Sequence, residues 1–199
     1  MNLKNIIVAG LQSFIVAGCS LFGGSIEEPS FTVLKKDDPF ETRKYDPFIT
    51  AETYTRGERE KAAGDGFQVL AEYIFGGNKE EEKIDMTAPV MMELIDKKNQ
   101  KWKISFVMPS KYKTISELPK PNSSQIKFVQ NQPQEYIVLV FSGSTSTDNV
   151  DSNNKLMLDY LKKNSISTNN SSIYAFYNPP WTIPSFKRNE IMQKINKKK

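Results

Sequence analysis

Apolar and polar positions along the 199-residue chain fall into blocks that switch between a two-residue and a helical period. Residues 31–34 and 42–54 read as strands. The second is interrupted by Asp46 and Pro47, and a proline inside a strand removes a ladder donor and marks an edge or a bulge. A helix follows. Glu58 and Glu60 suit its first turns, Phe67, Leu70, Ala71 and Ile74 recur at helical spacing, and Gly76, Gly77 and Asn78 stop it. Ile84, Met86, Ala88, Val90, Met92 and Leu94 then alternate with Asp85, Thr87, Pro89 and Glu93, which predicts one half-buried strand with the even positions inward. Residues 96–101 turn the chain, and Trp102, Ile104, Phe106 and Met108 repeat the alternation on the expected antiparallel partner.

The second half repeats this order. Residues 126–129 and 136–141 are two β-rich runs separated by polar residues and Pro133, a pattern that predicts a hairpin joined through Asn131 to Gln134. A second helix is expected over residues 148–163, with Val150, Met157 and Leu161 on one face and Lys155, Asp159, Lys162 and Lys163 in water. Residues 173–177 and 186–191 supply the closing strands. The predicted class is α+β: a distorted antiparallel β-barrel flanked by two α-helices, built from two strand-helix-strand-strand halves.

Ahead of this domain, Lys4 precedes an apolar run over residues 6–17 that is short for a membrane span and reads as a secretory signal. It ends in Val16, Ala17, Gly18 and Cys19, which resembles the lipobox of a bacterial lipoprotein precursor. The expected division is a signal over 1–18, lipidated Cys19 and a Gly/Ser/Glu-rich tether to residue 30, one folded domain over 31–195 and a basic tail over 196–199. Ser20 after the cysteine favours the outer membrane, facing the periplasm, and the lipid would hold the protein on a membrane without crossing it. Removing residues 1–18 deletes one charged side chain, Lys4, so the net charge of +4 becomes +3. Much of what remains sits in Lys194, Lys197, Lys198 and Lys199, a solvated tail and not a nucleic-acid surface. Cys19 is the single cysteine, so no disulfide forms within the chain.

Two proline-bearing blocks carry more specific information: Lys83, Ile84, Asp85, Met86, Thr87, Ala88, Pro89, Val90, and then Tyr177, Asn178, Pro179, Pro180, Trp181 with Arg188, Asn189, Glu190 and Ile191. Together with the element order over residues 40–194 they resemble the SOUL family of haem-binding proteins. The resemblance implies the barrel architecture, binding of haem or a related tetrapyrrole through an apolar surface beside the first helix, and no established catalytic centre.

The chain contains no histidine, which removes the usual haem ligand and the commonest general base. A member of this kind must hold haem without one. Tyrosinate, which suits ferric iron, and methionine, which favours the reduced state, remain as ligand types; an oxidising envelope favours tyrosine, and Tyr73 is the candidate iron ligand. Gly66, Val69 and Tyr73 fall at helical spacing off the Phe67, Leu70, Ile74 stripe, so a second helix face is expected to floor the ligand groove. Its polar neighbours Asp65, Gln68 and Glu72 offer no cation to a propionate. Met86, Met91 and Met92 either line an adaptable cavity or fill the core. Trp181 either stacks on a flat ligand at the rim or, held by Pro179, Pro180 and Pro184, fixes a rigid corner. Arg188 and Glu190 share a strand face near Tyr174 or Tyr177, which leaves a small hydrolase with Glu190 as general base as a minor alternative to a non-enzyme. No zinc spacing, phosphate loop, dinucleotide fingerprint or nucleophile elbow is present. A further alternative is a structural or partner-binding envelope lipoprotein that keeps the barrel and has lost the ligand.

Overall fold

The computed structural model describes residues 26–196. The expected signal over 1–18, Cys19, residues 20–25 and residues 197–199 lie outside the described residues. Nine strands and two α-helices follow in the order β1 (Phe31–Asp37), β2 (Phe40–Tyr45), β3 (Phe48–Arg56), α1 (Arg59–Ile74), β4 (Val90–Asp96), β5 (Lys101–Val107), β6 (Lys127–Asn131), β7 (Gln134–Phe141), α2 (Thr147–Lys163), β8 (Thr168–Phe176) and β9 (Asn189–Ile195). They form one antiparallel sheet ordered β1-β2-β7-β9-β8-β4-β5-β3-β6, curled into a half-barrel. The α+β class and the twofold repeat are as the sequence predicts: β3-α1-β4-β5 and β7-α2-β8-β9 meet where β4 pairs with β8.

The expected hairpin over residues 126–141 is not formed. β6 pairs with β3, and β7 pairs with β2 and β9. Likewise β2 runs on into β3 through Asp46 and Pro47, yet β2 and β3 lie on opposite flanks of the sheet. Each half thus lends an edge strand to the other through a two-residue proline-bearing bend, Asp46–Pro47 or Gln132–Pro133, and this exchange draws the ends of the sheet together.

Side-chain alternation gives the sheet two faces. α1 packs on β3 and β5, and α2 on β7 and β9, over a core that includes Ile104, Leu139, Ile191, Leu70, Tyr73 and Met157. The concave face carries Tyr45, Val138, Ala175, Tyr177 and Met192, with Met91, Tyr136 and Ile173 packed beside them. Met92 therefore fills the helix-side core while Met91 faces the concave side.

Gly66 lets α1 approach the sheet closely: a Cβ there would lie 2.3 Å from Ile104 Cγ1. Gly66→Ala gains about 1 kcal/mol of helix propensity but forces an overpacking penalty of about 1–3 kcal/mol against a fully buried isoleucine. A net loss of stability, seen as a lower urea midpoint, is the expected outcome. Beyond the helix end at Ile74, Gly76 adopts a φ of +108° that turns the chain away, and Asn78 seals the exit by donating to the carbonyls of Tyr73 (3.1 Å) and Glu82 (2.7 Å).

The strand predicted from Ile84 is shorter than the alternation suggests, because β4 begins only at Val90. Residues 83–89 are held singly instead: Ala88 N–H donates to Glu27 O (2.8 Å), the Thr87 hydroxyl donates to Val107 O (2.6 Å), and Pro89 has no N–H to give a ladder. Ile84 and Ala88 are buried, but Met86 is exposed. Phe186, expected in the last strand, belongs to a 3-10 turn over Pro184–Phe186, and β9 starts at Asn189.

Candidate functional site

The two helices cover the outer flanks of the sheet and leave the central pair, β4 and β8, between them. On that side the pairings Phe106 to Val90, Val90 to Phe176, Phe176 to Asn189 and Asn189 to Phe141 align one row across four strand boundaries. Val90, Phe176 and Phe141 are half-buried. Above Phe106 stands Phe67 of α1, edge-on at 5.3 Å between ring centroids and still 40% exposed. The seam is thus a mainly apolar strip, interrupted by the buried Asn189, walled by α1 and partly open to water.

Arg59, Ala63 and Phe67 follow one another at four-residue spacing, so they line the same side of α1. At the head of that line the Arg59 guanidinium spans to the loop before α2, its Nη2 donating to Thr145 O (2.8 Å) and to the Thr147 hydroxyl (3.3 Å). Its buried Nε has no hydrogen-bond partner among the described residues. The N-termini of α1 and α2 therefore meet at this end of the seam, and both helix dipoles add positive potential there. A strip of this kind can accept a flat apolar molecule along Phe67, Val90 and Phe176, with its anionic edge towards Arg59.

The residues expected to floor a groove lie elsewhere. Gly66 and Tyr73 are buried in the core under α1, and Val69 packs partly buried against it. The Tyr73 ring lies 5.5 Å from Phe128, and its hydroxyl donates to Pro119 O at 2.9 Å. Burial, assisted by nearby Tyr112, Glu80 and Glu82, pushes its phenol up, the opposite of what an iron-binding tyrosinate needs. On α1, Leu70, Ala71 and Ile74 are buried as the core stripe predicts, but Phe67 of that stripe turns outward, and Gly66 and Tyr73 of the expected second face are buried while Asp65, Gln68 and Glu72 stay exposed. Tyr73→Phe is expected to cost about 1 kcal/mol through the lost hydrogen bond and to leave any haem spectrum unchanged. Met86 sits exposed on the 83–89 segment, and Trp181 is 84% exposed on the loop between β8 and β9. Arg59 and the outward turn of Phe67 escaped the sequence reading, since a helix-start arginine and an apolar residue at core spacing carry no local mark of either role.

Arg188 and Glu190 do share a face, and Tyr177 joins them, but the carboxylate is sealed. Glu190 is fully buried and accepts from Arg43 Nη1 (3.0 Å), Arg188 Nε (2.9 Å) and the Tyr177 hydroxyl (2.8 Å). Arg43 also donates to Glu41 (2.6 Å) and to the Tyr45 hydroxyl (3.2 Å), and Arg188 grips both Glu28 oxygens (3.1 and 2.9 Å). The two guanidiniums lie over the rings of Phe31 (4.3 Å) and Tyr177 (3.7 Å). Burial is the largest single influence on Arg43 and works against its charge, yet Glu190, the Tyr45 hydroxyl and Glu41 together outweigh it and raise the guanidinium pKa. Both Glu190 oxygens are engaged inside this buried ionic cluster.

Burial and the adjacent Glu190 charge push the phenols of Tyr45 and Tyr177 well up, as burial does for Tyr73. In the unfolded chain these groups ionise near pH ~10, so above that pH the folded state holds more protons and stability falls as pH rises. Below pH ~10 this contribution is fully present. An alkaline titration should show the phenolate band of these buried tyrosines arriving together with loss of the far-UV circular dichroism signal.

Two concavities lie away from the seam. One, of about 40 Å³ near Glu52, Glu93 and Lys103, is too small for a tetrapyrrole. Another, of about 400 Å³, lies beside the N-terminal segment, where Glu27, Glu28 and Asp46 oppose Lys113 as the one cation in its wall. Its size suits a ligand but its charge repels propionates. The haem reading therefore fits the seam better than either concavity.

The fold and the strip beside α1 define a curled-sheet α+β domain suited to holding a small hydrophobic molecule. Residues 26–194 match the family model described as SOUL heme-binding protein, and the chain belongs to that family. Among curated proteins, no relative is found by sequence. The C-terminal domain of EcmrR shares the fold with a TM-score of 0.62 at 11% identity, covering 79% of this chain and 97% of that one. A hydrolase from Listeria innocua does so with a TM-score of 0.53 at 12% identity, covering 79% and 91%. At such identities the likeness extends to the fold alone.

Proposed function

We propose that the protein is an envelope lipoprotein, anchored through Cys19 and without catalytic activity, that reversibly holds haem or a related flat hydrophobic tetrapyrrole. The ligand lies in the seam between α1 and α2, packed on Phe67, Val90 and Phe176, with its propionate edge at Arg59 and the two helix N-termini. The observation that carries this reading is the outward ring of Phe67, 40% exposed over an apolar row in a member of the SOUL family. With no histidine in the chain, affinity comes from apolar contact and propionate pairing, and exchange is fast compared with a ligated haem protein. Titration with ferric haem tests it: a saturable Soret change supports the reading, and its absence leaves the structural or partner-binding lipoprotein in its place. The anchor is tested separately by mass spectrometry of the mature N-terminus, where a lipid-modified Cys19 is expected and an unmodified or absent Cys19 contradicts it.

A further inference from the structure

The loop between β8 and β9 displays three large apolar side chains: Trp181 is 84%, Phe186 75% and Ile183 61% exposed. It is not slack. Thr182 N–H donates to Pro179 O (3.1 Å), Phe186 N–H to Ile183 O (2.9 Å), the Lys187 amine to Pro180 O (2.9 Å) and Arg188 N–H to Asn178 Oδ1 (2.7 Å). Gly143 N–H donates to Pro184 O (2.9 Å), which fastens the loop to the one before α2. A braced loop that carries its apolar side chains outward needs a partner that covers them.

Where the chain enters the domain identifies that partner. Residues 26–30, expected to be tether, are bound to the fold: Ala88 N–H donates to Glu27 O and Ser110 N–H to Glu27 Oε1 (2.8 and 2.5 Å). Glu28 grips Arg188, the last residue of the exposed loop, with both oxygens. The chain leading back to Cys19 thus leaves the domain at the base of this loop, through the exposed Ile26. Residues 20–25 separate Cys19 from Ile26, which allows a reach of at most about 25 Å. A lipid on Cys19 holds the bilayer within that distance of the loop. Trp, Phe and Ile beside Lys187 is also the composition favoured at a headgroup boundary.

We propose that this loop is a membrane-docking tip, which seats Trp181, Ile183 and Phe186 in the headgroup boundary of the bilayer that holds the Cys19 lipid. The inference rests on the lipid anchor proposed above. Because Phe176 directly precedes the loop, docking turns that end of the seam towards the membrane.

The test uses the lipidated protein in vesicles of phosphatidylethanolamine and phosphatidylglycerol containing brominated lipid. Trp181 fluorescence should be quenched, and Trp181→Phe should remove the quenched fraction while leaving the emission of buried Trp102. In the unlipidated chain from Cys19 onward, replacing Trp181, Ile183 and Phe186 together by serine should weaken vesicle binding by at least about tenfold without altering the fold. No quenching of Trp181 in vesicle-bound protein overturns the proposal. So does a triple variant that keeps its vesicle affinity but loses self-association or haem uptake, since the loop then serves a second copy or the ligand. If Cys19 carries no lipid the anchor alone falls, and quenching of the unlipidated chain by added vesicles decides the docking tip.

Discussion

Arg43→Ala should destabilise the domain by about 3–5 kcal/mol, the range for removing one partner of a buried ion pair, and lower Tm by roughly 6–20 °C for a chain of this size. Arg43 is 4% exposed, and its loss strips one donor from the fully buried Glu190, one from Glu41 and one from the Tyr45 hydroxyl. Arg188 and Tyr177 remain on Glu190, so the loss should fall towards the lower end of that range. Replacing both members, as Arg43→Met with Glu190→Leu, should recover part of it, because apolar side chains need no compensating charge. Thermal unfolding followed by circular dichroism checks both. A single variant as stable as the wild type would mean that the cluster adds nothing to the fold. The same cluster joins β2, β9 and, through Glu28, the N-terminal segment, so its loss should also free residues 26–30 for proteolysis.

Phe67→Asp should weaken haem binding by about 10- to 150-fold. Burying a phenylalanine ring against a ligand is worth about 1.5–3 kcal/mol, and each 1.4 kcal/mol is tenfold in affinity. A carboxylate facing the apolar row and the propionate edge adds repulsion to that loss. The fold should survive, because Phe67 is already 40% exposed and its one ring partner is Phe106 at 5.3 Å. Arg59→Gln should act in the same direction with a smaller effect and a weaker dependence on salt, since it removes the charge that meets the propionates. A loss of haem affinity in Phe67→Asp with none in Tyr73→Phe would separate the seam from the core side of the helix.

Strand alternation made the faces of the sheet legible in the sequence: Trp102, Ile104 and Phe106 turn to the helix side as their period predicts. Helix ends were legible too, because Gly76 and Asn78 have local reasons to stop α1. Pairing was not. A two-residue bend with proline serves a hairpin and an exchange between sheet flanks equally well, and only contacts remote in sequence decide for β6 and β7. The burial of Gly66 and Tyr73 was hidden for a different reason. Hydrophobic periodicity scores a glycine as empty and a tyrosine as half-polar, whereas Gly66 lets Ile104 approach closely and Tyr73 satisfies its hydroxyl inside the core. Arg59 carries no local mark because its partners, Thr145 and Thr147, lie far away in the sequence.

Haem titration of the wild-type chain beside Phe67→Asp and Tyr73→Phe tests the central claim most directly. The seam predicts a saturable Soret change in the wild type, the same change in Tyr73→Phe, and an affinity lower by at least about tenfold in Phe67→Asp. No saturable change in the wild type, or equal affinity in wild type and Phe67→Asp, would contradict it.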